Sequence, residues 1–508
     1  MPRQYRFRTL FFRQWLNSIG IPLVGATLLL ILYPKLVTLL LLVIAVAAFL
    51  IVAYFGRSEA VRERSVALML ASVGVAVAIL CFFSAARSVK KAEEYLGKEA
   101  EAVGFVTRSE EGSADLSLVT LNETTAFKKI RLHTKGALPY GAKIHAVFLP
   151  TDARDQEALE DGVFFIADLK TWEEEGKSLV LSSIGSLRNT FLTKLGEGRE
   201  SSFLKAILLG DRDGLEKEDD AAFRKTASSH LLAISGLHIT VLAGIAYCMM
   251  DFLFMPTPGK KAILFPIIIF LYLITGGAVS VFRASFMALF GASAFFFNQQ
   301  SDSVTSLVLA ASLILMQNPF AVTDLSFLFS FVSTFAIVTL ASPFCAAVAE
   351  SLEPYCYEKG KLRLYSIAAY VTSGALISAS VFLFSLPLNL LIFGEIQILS
   401  PIFSAILIPL FSPLLFLGVG FLVFLLLPFS VPFVTEAVYF VIRLFLDLLR
   451  LLSAAAPPVI TFGSYNVPVA LFVMALLGVF MYFRCKIRSF LLLYVILTAA
   501  MLPMLLFV

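Results

Sequence analysis

SSHLLAISGLHITVLAG, residues 228–244, marks the point where the character of the chain changes. The residues before it are charged, and from His230 onward the chain is nearly all apolar. Two of the four histidines lie here, eight residues apart, with Ser235-Gly236 between them. Imidazole in hydrocarbon is costly, so a histidine there marks a functional position or a satisfied packing role. If residues 230–250 form one helix, His230, Ile234 and His238 share a face, with the histidines about 12 Å apart along the axis. That gap is too wide for one metal ion. Small residues at 235 and 236 allow close backbone packing or local unwinding around a substrate. The structural alternative is an interfacial His230 and a hydrogen-bonded core His238.

Working outward, the 508 residues have a strongly positive mean hydropathy. Apolar runs of about 20 residues, the length that spans a bilayer core, recur along the chain. The reading is an all-α polytopic membrane protein of roughly 10–13 helices. Continuous apolar runs argue against a transmembrane barrel, which shows short alternating segments. The five cysteines are scattered, with no CxxC pair, so neither a disulfide framework nor a zinc site is expected. No metal and no cofactor are expected. The chain has no P-loop, no H-E-x-x-H and no G-x-S-x-G, so no motor or hydrolase is predicted, and the protein is read as non-enzymatic.

Residues 1–86 read as N-terminal transmembrane helices: a hairpin over 21–55 broken at Pro34-Lys35, then a single crossing over 66–86. Arg3, Arg6, Arg8 and Arg13 before the hairpin, and Arg57, Arg62 and Arg64 after it, place the N-terminus in the cytoplasm and residues 87–229 outside it. Residues 87–185 are polar and carry five short strand-like segments: EAVGFVTR, DLSLVTLN, AFKKIRLH, KIHAVFLP and VFFIADLK. Five strands suit a small OB-like barrel. Residues 186–229 read as amphipathic helices on the membrane surface, and 230–508 as the main transmembrane domain. The region 394–430, rich in Pro and Gly, reads as two short helices or a re-entrant hairpin.

Arg283, in GGAVSVFRASFMALF, is the notable charge within an apolar helix. Such an arginine faces the bundle interior or water, or snorkels to the interface. Asp324, Glu395, Arg443 and Asp447 are other charges near apolar segments, and the last two have the i,i+4 spacing of a helical pair. Asp211 and Asp213 read as turn residues.

AILLGDRDGLEKEDDAAFRKTASSHLLAISGLHI (206–239) resembles the signature of ComEC-type competence proteins, through Gly210, Asp211, Gly214, Leu215, Phe223, Arg224, His230 and the LLAISGLH block. VFRASFM (281–287), DLSFLFSF (324–331) and FGEIQILSPIFSAILIP (393–409) resemble further segments of that family. The chain departs from the pattern at Ala227, where the family has Gly, and at Ser326, Leu328 and Ser404. The resemblance implies an inner-membrane channel that admits single-stranded transforming DNA, in a form without the C-terminal metallo-β-lactamase-like domain of many relatives. The implied partners are single-stranded DNA, a DNA receptor, a cytoplasmic helicase or ATPase, membrane lipids and a second copy of the chain.

On this reading His230, Ser235, Gly236, His238, Arg283, Asp324 and Glu395 line or shape the path. Gly210, Asp211 and Gly214 form a turn of the family motif. The insert at 87–185 holds 13 Lys and Arg against 17 Asp and Glu, which argues against electrostatic capture of DNA by the whole domain. A local stripe of Lys128, Lys129 and Arg131 beside Phe127 is the candidate contact there. The alternative is a small-solute or lipid-linked transporter on the same scaffold.

Overall fold

The structure is a computed structural model. It describes residues 18–27, 30–31 and most of 59–461, with a few scattered positions beyond. Its described residues fall into two compact units, one from 1–190, 272–279 and 297–328, the other from 191–271, 280–296 and 329–508.

In the first unit a short helix α1 (Ser18–Thr27) precedes α2 (Glu59–Glu93). These two helices approach very closely. A methyl group on Gly74 would lie 2.2 Å from the carbonyl oxygen of Ile19, so only glycine permits this crossing. Gly74→Ala should therefore destabilise this helix pair by about 1–2 kcal/mol, because overpacking outweighs the gain in helix propensity. Gly374, with nothing within 4 Å of its would-be methyl, is the control. Thermal unfolding in mild detergent should show a lower midpoint for Gly74→Ala and none for Gly374→Ala.

Five strands follow: β1 (Ala100–Glu110), β2 (Ser113–Leu121), β3 (Lys129–His133), β4 (Ala142–Asp152) and, after the short helix α3 (Gln156–Glu160), β5 (Ile166–Lys177). They close into a barrel in the order β1-β2-β3-β5-β4, all antiparallel except the β3–β5 pair. The two-residue period of β4 turns Ala142, Ile144, Ala146 and Phe148 inward, where they meet Val106, Leu116, Ile130, Leu132 and Phe165. Asn318 fixes α3 to the segment Pro319–Val322: its Nδ2 donates to the carbonyls of Leu159 and Glu160, both at 2.8 Å.

The remaining helices are α4 (Leu179–Leu195), α5 (Arg199–Leu209), α6 (Lys217–Lys225), α7 (Gly236–Phe252), α8 (Thr257–Ile274), α9 (Val279–Phe296) and α10 (Ser303–Gln317). Then come α11 (Leu325–Ala336), continued through a π-helical turn Ile337–Ala341 into α12 (Ser342–Glu358), and α13 (Leu362–Ile392). The pair β6 (Glu395–Ile396) and β7 (Ile460–Thr461) brackets α14 (Ser400–Leu425) and α15 (Pro432–Ala455). Among the described residues, five helical stretches are long and apolar enough to cross a membrane: Val73–Glu93, Thr257–Ile274, Leu325–Ser351, Val371–Ile392 and Ser400–Leu425.

Two expectations need correction. Residues 400–425 form one continuous helix, with Pro409 and Pro413 inside it, rather than two short helices or a re-entrant hairpin. Each proline lacks an N–H, so the carbonyls of Ala405 and Pro409 lose their helical donors while the helix runs on. And α5 is not a surface helix, since its residues from Ser201 to Leu209, apart from Lys205, are buried.

Candidate functional site

The second unit builds the site from the motif outward. Helix α5 stops at Gly210, which adopts the left-handed conformation (φ 76°) that glycine tolerates best. The Gly210 N–H donates to the Ala206 carbonyl and the Asp211 N–H to the Lys205 carbonyl. A methyl on Gly214 would come within 2.7 Å of Ser202 Oγ, so this glycine also marks a close approach. Asp211 is half-buried within the turn. These residues shape the chain at the end of α5.

After α6 the chain reverses at Ala227, a non-glycine residue at φ 52°. An L-residue pays roughly 1–2 kcal/mol in this region. Ala227→Gly should raise stability by about 1 kcal/mol, less the extra chain entropy glycine brings to the unfolded state. Denaturant or thermal unfolding of the purified protein checks this.

The carbonyl of Ala227 accepts a hydrogen bond from the His230 ring. Desolvation by neighbouring protein atoms pushes the His230 imidazole below its ordinary pKa, while the residue itself is exposed. His230 sits in a single 3-10 turn, Ser229–Leu231, and α7 begins only at Gly236. The two histidines are therefore not on one unbroken helix. Ser235 lies outside the described residues.

His238, on the first turn of α7, is 1% exposed and packs edge-to-face against Phe411 of α14, ring centroids 5.4 Å apart. It is a packed histidine in this arrangement. Arg283 of α9 is 8% exposed. Its Nε donates to Ser330 Oγ at 2.7 Å, its Nη1 approaches Met287 Sδ at 3.8 Å, and its guanidinium carbon lies 5.8 Å from the centre of the Phe331 ring. Among the described residues no carboxylate lies within ion-pair distance of it. Its Nη2 faces Gly236, where an added methyl would come within 2.8 Å. Gly236 thus lets the guanidinium lie against the start of α7, and the structure brings Gly236, His238 and Arg283 together.

Asp324 and Glu395 each have local surroundings of their own. Asp324 caps α11, accepting from the N–H groups of Ser326 at 2.9 Å and Phe327 at 3.2 Å. Burial raises its pKa, the nearby Asp161 carboxylate adds to that, and the two N–H donors oppose it. Glu395 is exposed on β6, opposite Thr461 of β7. On the barrel, Lys129 and Arg131 are both engaged by buried Asp115, at 2.9 and 2.8 Å, and Arg131 also holds Asp161 at 2.7 Å. Burial pushes the Asp115 carboxyl up, but Arg131 and Lys129 outweigh it and hold the pKa low. These cations are spent on intramolecular pairs rather than presented as a free stripe. Phe127 and Lys128 lie outside the described residues.

Three features have no local sequence signal. Ser330 orients Arg283 from 47 residues away. Buried Gln397 ties two distant segments together, its Nε2 donating to the carbonyls of Lys225 at 2.9 Å and Pro457 at 3.1 Å. And Asp219 is clamped by two arginines, Arg199 and Arg450. Among the described residues no three His, Cys, Asp or Glu side chains gather as a metal site.

Comparison with known proteins sets this constellation in a family. Residues 207–488, more than half of the chain, match the family described as "Competence protein". The chain belongs to the competence protein family. The match contains the Gly210 turn, both histidines, Arg283 and the Phe411 helix. ComE operon protein 3 of Bacillus subtilis is 29% identical over 225 residues, 44% of this chain and 26% of that protein. Recombination protein 2 of Haemophilus influenzae is 29% identical over 144 residues, 26% of this chain and 17% of that protein. The match thus spans about a quarter or less of either relative's length. No solved structure matches. With five candidate spans and this family membership, the competence protein described here is a multi-pass membrane protein.

Proposed function

We propose that this competence protein is the inner-membrane conduit through which one strand of transforming DNA passes into the cytoplasm. It acts without chemistry of its own, between a DNA receptor outside and a helicase or ATPase inside. One observation carries the reading: within the family's matched region, a buried arginine with no carboxylate partner among the described residues sits against the start of α7. An ionisable group kept at such a position marks a substrate path more often than a packing role. The strand order of the barrel and its parallel β3–β5 pair support an OB-like insert, a fold used for single strands elsewhere. The arginine-rich flanks of the first hairpin support a cytoplasmic N-terminus and an extracytoplasmic barrel.

Deleting the gene in a competent host tests this. Cell-bound labelled DNA should persist while label reaching the cytoplasm falls to background, and the wild-type gene should restore it. Cytoplasmic label at the parental level in the deletion strain would favour a small-solute or lipid-linked transporter instead.

A further inference from the structure

Helices α14 and α15 lie side by side, antiparallel and level with each other. At one end Glu395 and Ile396 of β6 pair with Thr461 and Ile460 of β7, and Gln397 Nε2 donates to the Pro457 carbonyl at 3.1 Å. Close to the middle of both helices the rings of Phe411 and Phe445 are 6.1 Å apart. Toward the other end the rings of Phe421 and Tyr439 are 5.9 Å apart. Helix α14 is long and apolar enough to cross a membrane, carries no charged side chain, and exposes a purely apolar stripe of Ile402, Ile406, Leu410, Phe416 and Val423. At 1.5 Å per residue it is about 39 Å long, against roughly 30 Å for a bilayer core. A helix level with it along its whole length lies at the same depth.

Helix α15 exposes an apolar stripe of its own, Phe433, Phe440, Leu444 and Leu451, which runs about 27 Å along the axis. Four charged side chains, Glu436, Arg443, Asp447 and Arg450, interrupt its apolar pattern. Arg443 and Asp447 fall on a row beside the stripe, toward α5. Arg443 Nε donates to Glu200 at 2.7 Å, and Asp447 accepts from Arg199 Nη1 at 2.9 Å. Even so paired, the Arg443 and Asp447 side chains are 55% and 57% exposed. Charges this open are costly among acyl chains and are kept at bilayer depth where water reaches them. We propose that α15 crosses the bilayer beside α14, with its apolar stripe against acyl chains and its Arg443–Asp447 row on a water-filled groove at mid-membrane depth. The groove runs between α15 and α5, and its two ion pairs balance each other in charge. This placement holds whether the cargo is a DNA strand or a small solute.

The test uses the full chain in phosphatidylcholine vesicles, with Trp15 and Trp172 replaced by phenylalanine. Phe433→Trp, Leu444→Trp and Leu451→Trp, made singly, report depth against lipids brominated near the headgroup or near the end of the acyl chain. Each exchanges one exposed apolar side chain for another, so folding is retained. Leu444→Trp should lose more fluorescence to the deep bromines, and Phe433→Trp and Leu451→Trp more to the shallow ones. For the charged row, Arg443→Cys and Asp447→Cys are made singly in protein whose five native cysteines are replaced by alanine. Both thiols should react with a charged reagent that does not enter lipid, because a thiol in contact with water ionises and one in apolar surroundings does not.

Stronger quenching by the shallow bromines at all three positions would lay α15 flat in the interface and overturn the crossing. Weak quenching of Leu444→Trp by both lipids would mean that protein covers the stripe, which overturns it as well. Thiols at 443 and 447 that stay unmodified in vesicles, yet react once the protein is unfolded, would remove the groove. The two cysteine variants break different ion pairs, so if one lowers the melting midpoint or fails to fold, the other carries the comparison.

Discussion

Asp219→Ala will lower the unfolding free energy of the detergent-solubilised protein by about 3 kcal/mol, the low end for breaking a buried ion pair. Asp219 on α6 is fully buried and accepts from Arg199 Nε at 2.8 Å, Arg199 Nη2 at 3.0 Å and Arg450 Nε at 2.6 Å. These bonds tie α6 to α5 and α15. The low end applies because neither arginine is left wholly unpaired: Arg199 keeps Asp447 at 2.9 Å, and Arg450 keeps Glu216 at 2.6 Å and Glu218 at 2.9 Å.

The pH dependence fixes the sign. Burial pushes the Asp219 carboxyl up, but the hydrogen bonds and charges of Arg199 and Arg450 outweigh it and hold its pKa below the ordinary value. Its stabilisation is therefore complete above about pH 4, the unfolded value, and is lost as pH falls through the lower folded value. Denaturant unfolding of wild type and Asp219→Ala should differ by a constant amount near neutrality and converge in strong acid. A difference that persists unchanged at low pH would mean the carboxylate charge is not the source.

Arg283→Gln will cut the label reaching the cytoplasm of competent cells by about 10- to 100-fold with normal protein abundance, since hydrogen bonds to a charged group are worth roughly 1.5–3 kcal/mol. Ser330→Ala should have a smaller effect of the same kind, a few-fold, because it removes only the 2.7 Å bond that orients Nε and leaves the charge in place. Equal uptake in Arg283→Gln and wild-type cells would assign the arginine to packing alone.

Much of the fold is legible because its signals are local. The alternation along KIHAVFLP marks β4, and the glycines at 210 and 214 mark a turn. The fifth strand begins later than VFFIADLK suggests, at Ile166, because Val163, Phe164 and Phe165 are buried in a loop before it rather than alternating in the sheet. Helix α3, five residues long, is too short to show a period. The site is half legible. Arg283, Gly236 and His238 stand out as polar or small residues in apolar context, but their juxtaposition depends on how α7 packs with α9 and α14.

Charge pairing is least legible, because spacing reports only local partners. Arg443 and Asp447 have the i,i+4 spacing of a helical pair, yet Arg443 bonds Glu200 at 2.7 Å and Asp447 bonds Arg199, both on α5. Lys129 and Arg131 look like a basic stripe until Asp115, from a neighbouring strand, and Asp161 pair with them. Ala227 shows the reverse case. The sequence offers an ordinary alanine there, yet the backbone takes the left-handed conformation that glycine usually supplies.

The central claim is that the space beside Gly236 and Arg283 is reached by water and by a nucleic acid strand. Ala284 is half-buried next to Gly236, its Cβ 3.4 Å from where a Gly236 methyl would lie. In full-length protein with Cys81, Cys248, Cys345, Cys356 and Cys485 replaced by alanine, Ala284→Cys is the reporter for that space. It should react with a charged, membrane-impermeant thiol reagent, and single-stranded oligonucleotide should slow the reaction. A thiol that stays unmodified after long exposure to the reagent, yet reacts once the protein is unfolded, would show dry packing there and contradict the conduit.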